Sequence, residues 1–91
     1  GNFMCGINQL TSLEGAPKEV DGWFDCSNNY LTSLEGAPTK VGRDFVCSDN
    51  QLTSLKGAPQ IVGGGFNCYR NPNLHSLDGI GEVIGEIIKD F

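Results

Sequence analysis

Cys5, Cys26, Cys47, Cys68 and the single histidine, His75, are the side chains of this 91-residue chain with nucleophilic or metal-binding chemistry. Successive cysteines stand a constant twenty-one residues apart. If each falls at the same place in a successive turn of chain, the thiols point inward in a row, roughly 4.8 Å per rung. A row of that kind spans roughly 14 Å and cannot surround one zinc ion tetrahedrally. Parallel side chains also have the wrong Cβ directions for a relaxed disulfide. The cysteines therefore read as buried thiols that pack as small hydrophobes, which fits a reducing compartment. No basic residue of the repeat stands beside them to lower a thiol pKa. His75 occupies the slot of Thr11, Thr32 and Thr53, an exposed turn position with no partner for acid–base work. Asp25, Asp44, Asp49 and Asn28 supply oxygens, but they do not recur in one row as a calcium repeat requires. Gly63-Gly64-Gly65 lacks the Lys-Ser/Thr continuation of a phosphate loop. The expectation is no catalytic set, no metal and no cofactor.

The elements that place the thiols are set by the repeat Phe-x-Cys-x-x-Asn-x-Leu-x-x-Leu. It reads Phe3, Cys5, Asn8, Leu10 and Leu13, then Phe24, Cys26, Asn29, Leu31 and Leu34, then Phe45, Cys47, Asn50, Leu52 and Leu55. A further copy begins Phe66, Cys68, Asn71 and slips by one residue to Leu74 and Leu77 across Asn71-Pro72-Asn73. A fixed period of this length signals a solenoid, whose coils bury apolar faces only against their neighbours.

Within a coil, Phe24 and Cys26 point one way and Trp23, Asp25 and Ser27 the other, which is a short strand with one buried face. Asn8, Asn29, Asn50 and Asn71 follow the strands and predict an internal ladder of amides bonding the backbone of their own and adjacent coils. Gly15, Gly36, Gly57 and Gly79 mark a turn, and Pro17, Pro38 and Pro59 predict an extended return along the outer side. Val20, Val41 and Val62 complete the core.

These positions resemble the leucine-rich repeat, Leu-x-x-Leu-x-Leu-x-x-Asn-x-Leu, with Phe at its second Leu, Cys at its third, and the Asn and following Leu intact. The first Leu place departs from it, carrying Asp21, Gly42 and Gly63. The wording Leu-Thr-Ser-Leu-Glu-Gly-Ala-Pro resembles repeat proteins of bacteriophages and bacteria. The resemblance implies a mainly β, right-handed solenoid of about four to five coils, with a short parallel sheet and an extended Pro-containing back. It covers one unit, with coils near 1–20, 21–41, 42–62 and 63–84 and a terminal cap over 78–91. It implies protein recognition without naming a partner.

The cap allows a helix, from Ile80, Val83, Ile84, Ile87, Ile88 and Phe91, or a fifth strand. Gly81, Gly85 and the β-branched residues favour the strand, with Gly79, Ile84 and Ile88 in the Gly, Val and Phe places. At the other end the repeat opens inside a strand, from which we expect a preceding segment or a covering chain.

Eleven acidic against six basic residues exclude a large phosphate-neutralising face, hence nucleic acid as partner. No apolar run reaches the roughly 20 residues of a membrane span and no secretion signal opens the chain, which points to the cytoplasm. The strand positions facing outward vary between coils while the inward ones repeat. Met4, Trp23, Asp25, Asp44, Val46, Asn67, Tyr69 and Arg70 are the predicted partner-binding residues, with the exposed Trp23 as the expected anchor. The expected function is a non-enzymatic interaction module. Its rival is a structural protein whose ends stack copies into an oligomer or fibre.

Overall fold

The computed structural model describes residues 1–91, and the chain winds as a mainly β, right-handed solenoid of about four turns without a helix. Nine strands of two residues each form two parallel ladders. The first is β1 (Phe3–Met4), β3 (Phe24–Asp25), β5 (Phe45–Val46), β7 (Phe66–Asn67) and β9 (Ile87–Ile88). The second, on the return arm, is β2 (Glu19–Val20), β4 (Lys40–Val41), β6 (Ile61–Val62) and β8 (Glu82–Val83). Register is constant: Phe3 stands over Phe24, Phe24 over Phe45 and Phe45 over Phe66.

Constant register turns each repeated residue into a column. Phe24, Phe45 and Phe66 are fully buried, and the Phe3–Phe24–Phe45–Phe66 rings stack with centroids 5.1–5.2 Å apart. Such aromatic contacts add about 0.5–1.5 kcal/mol each beyond the area they bury. Leu31, Leu34, Leu52, Leu55, Val41 and Val62 complete the same core.

The turn after the second Leu has one construction in each coil. Ala16, Ala37, Ala58 and Ile80 donate their N–H to the carbonyl three residues back at 3.0 Å, and the intervening glycines hold φ of 90–96°. Positive φ at the third residue defines a type II turn and requires glycine. At Gly57 a Cβ would also meet the Glu35 nitrogen at 2.4 Å, so the neighbouring coil leaves no room for a side chain.

Three expectations need correction. The prolines do not run along the outside: Pro38 and Pro59 are among the most buried side chains. Lacking an N–H, a proline ring fits the core directly after the turn, where the chain runs inward. The return arm is not merely extended, because its valines pair coil to coil in a second ladder. Two-residue strands with one inward Val are too short to show alternation in sequence.

The third correction concerns the last coil, which is a strand coil as expected but one residue out of the expected register. Val83, not Ile84, pairs with Val62, and Ile87, not Ile88, pairs with Phe66. The extra residue at Pro72-Asn73 widens the turn that Leu74 N–H closes onto Asn71 O. Gly79-Ile80-Gly81-Glu82 then replaces the longer Gly57-Ala58-Pro59-Gln60-Ile61, so loss of the Pro slot restores the period. The second ladder thus holds its register across the insertion.

Candidate binding face

The amide ladder fixes the far end of each first-ladder strand. Asn50 Nδ2 donates to Cys26 O and Cys47 O at 3.1 Å and to Ser48 O at 3.2 Å, while its Oδ1 accepts the Leu31 N–H at 3.0 Å. Asn29 and Asn71 repeat the pattern with their own neighbours. Each buried amide therefore joins its own coil to the preceding one. Asn8 is exposed and bonds only Cys5 O and Gly6 O, within its own coil. The residues before the ladder asparagines, Ile7, Asn28, Asp49 and Arg70, all hold φ of 56–61°. That left-handed position was missed from sequence, because Ile and Arg do not signal it although Asn and Asp do.

The thiol column takes the form expected for Cys26, Cys47 and Cys68, which are buried, while Cys5 is half-buried. Cys26 and Cys47 donate S–H to Val46 O and Asn67 O at 3.4 and 3.3 Å. Burial pushes the Cys26 and Cys47 thiols above their ordinary pKa, and the neighbouring thiols add to the rise. Burial also raises Cys5 and Cys68. Protonated, buried sulfurs are inert as nucleophiles. Lys89 stands next in this column, and its ammonium lies over the Phe91 ring at 4.7 Å.

The outward face of the first ladder gathers the predicted binding residues into adjoining rows. Register aligns Met4, Asp25, Val46, Asn67 and Ile88 in one row. Beside it run Asn2, Trp23, Asp44, Gly65 and Glu86, and on the other side Gly6, Ser27, Ser48, Tyr69 and Asp90, with Ile7, Asn28, Asp49, Arg70 and Phe91 as a last outward row just beyond the strands. Trp23 is 47% exposed and Met4 61%. Val46, Asp25 and Asn67 are half-buried, Asp44 and Arg70 exposed.

Several of these polar groups brace the backbone. Asn2 Oδ1 accepts the Trp23 N–H at 2.9 Å, and Asp44 Oδ1 accepts the Gly65 N–H at 2.8 Å, each across a coil boundary. Asp25 Oδ1 accepts the N–H and hydroxyl of Ser27 at 2.9 and 2.6 Å, and Asn67 Oδ1 accepts the Tyr69 N–H at 3.0 Å. Arg70 Nε pairs with Asp49 Oδ1 at 2.9 Å. The face is thus held in one shape before anything meets it. Ser27, though in an outward row, is buried, with its hydroxyl held by Asp25.

The hollows flank this face. One shallow groove, floored by Gly42, Gly63 and Gly64, carries Trp23, Asp44 and Arg43 on its walls. The largest hollow lies on the second ladder, against Glu19, Lys40 and Ile61, and contains none of the predicted binding residues. No three of the His, Cys, Asp and Glu side chains come together as metal ligands. His75 is exposed and stands between the turns at residues 72–73 and 78–79. Glu86, Ile88 and Asp90 belong to the outward rows and were missed, because reading the last coil one residue late turned Ile88 inward.

These features define a class: a right-handed β-solenoid with coils of about 21 residues, closed inside by Phe, Cys and Asn columns. Comparison with known protein families, with curated proteins and with solved structures gave no match. No helix of the chain is long and apolar enough to cross a membrane.

Proposed function

We propose that this chain is a non-enzymatic protein-binding module of leucine-rich-repeat type that engages its partner through the outward face of the first ladder. One observation carries the reading. Of nine exposed large hydrophobic side chains, four stand in the outward rows of that ladder, Met4, Trp23, Tyr69 and Ile88, and two more, Ile7 and Phe91, stand just beyond them. Concentrated exposed apolar groups mark interaction surfaces, and Trp and Tyr are the side chains that most often anchor them. The leucine-rich-repeat assignment is supported by the ladder asparagines, and a bacterial or phage origin by the repeat's wording. Residence in the cytoplasm is supported by four free thiols.

The test is affinity capture from bacterial cytosol with the wild type and Trp23→Ala side by side. The reading expects a protein retained by the wild type and lost by the variant, at equal melting midpoints. Equal retention by both removes Trp23 and this face from the site. End-to-end stacking is separated by sedimentation over a concentration range, where it requires growth of the particle.

A further inference from the structure

We infer that the partner presents a cationic segment, Lys or Arg side chains set among apolar ones, to the outward face of the first ladder; this rests on the binding reading above. The charge distribution carries the inference. Asp25, Asp44, Asp49, Glu86 and Asp90 stand in the outward positions against Arg70 alone, which places four of the chain's five net negative charges on this face. The remaining six acidic and five basic residues nearly cancel.

The one base in the outward rows is already used, since Arg70 pairs with Asp49 at 2.9 Å. Asp25, Asp44, Glu86 and Asp90 have no cation within ion-pairing distance. Arg43 borders Trp23 at the corner but forms no ion pair with Asp44 or Asp21. Trp23 therefore lies among unpaired carboxylates, with Asp44 beside it on the next coil and Asp25 two residues along its own strand. A cation over an indole face gains from the ring quadrupole, and carboxylates at its edge add to that attraction. Complementary potentials of this kind select partners and speed encounter. An acidic or neutral segment would leave these carboxylates repelled or desolvated without a partner.

The test uses a displayed library of short random peptides, selected on the intact chain. The enriched peptides are expected to carry net positive charge. A synthetic copy of one should bind roughly tenfold more weakly to the Asp25→Asn/Asp44→Asn chain and to the wild type when salt rises from about 0.05 to about 0.5 M. Asparagine keeps the acceptor that Ser27 and Gly65 use, so the melting midpoint should hold, and the wild-type peptide charges stand as a readout of their own. Neutral or acidic peptides whose capture is lost with Trp23→Ala overturn the cationic inference and leave the binding reading intact. Capture of no peptide, or capture indifferent to Trp23→Ala, overturns both.

Discussion

The two sides of the first ladder obey different rules although they belong to the same strands. Inward, Phe24, Phe45 and Phe66 and the thiols Cys26, Cys47 and Cys68 repeat without change and are fully buried. Outward, the neighbouring row reads Met4, Asp25, Val46, Asn67 and Ile88, with no residue used twice. A column inside the solenoid must fit the copy above and below it, and so one good residue is repeated. An outward row has solvent on one side, which frees its residues to meet something else. The contrast teaches that residues fixed by packing and residues free to vary are separated at the level of alternate positions along one strand.

The sharpest way to break that separation is to cut into a column. Phe45→Ala removes a ring stacked on both faces and is expected to cost about 4 kcal/mol, read from denaturant melts. Asn50→Ala leaves the buried Leu31 N–H without an acceptor and takes one of two amide donors from Cys26 O, which keeps Asn29, and from Cys47 O, which keeps Asn71; with these bonds lost it should cost about 3 kcal/mol. Asn8→Ala, the same substitution at an exposed amide joined only to its own coil, should cost less than about 1 kcal/mol, because water replaces the bonds. If Asn8 and Asn50 prove equal, the coil-joining role of the ladder is wrong.

The thiols sharpen the comparison through pH. Burial raises their pKa in the folded chain, so the folded state holds protons that the unfolded state releases. Their contribution is complete below the unfolded thiol pKa, near about 8.5, and is lost progressively as pH rises above it. Melts should show falling stability above that pH, and a Cys26→Ala/Cys47→Ala chain should show a shallower fall. In the native state at neutral pH, alkylation mass spectrometry should modify Cys5 ahead of Cys26, Cys47 and Cys68, following burial.

The columns were legible because identity at a fixed period can be read without coordinates. Phe, Cys, Asn and Leu each announced a place in the core, and the coordinates put them there, with the first coil's Phe3, Cys5 and Leu10 only half-covered. Features defined by a single residue or by close backbone approach were not legible. The second ladder depends on one Val per coil, and the inward path of Pro38 and Pro59 depends on the type II turn before them. The last coil's register depends on an insertion cancelled by a deletion about ten residues later, which period counting cannot see until the second ladder is known. Of the proposed binding face, the row containing Trp23 and Asp44 was legible from alternation. The bracing of Gly65 by Asp44 was not, since it crosses a coil boundary.

The separation of the two sides is tested most directly by measuring the unfolding free energies of Asn50→Ala and Trp23→Ala in one denaturant series. The account predicts a loss of about 3 kcal/mol for the buried amide and a change within about 0.5 kcal/mol for the exposed indole. A Trp23→Ala loss equal to or larger than that of Asn50→Ala would contradict it, because the outward face would then be holding the solenoid together.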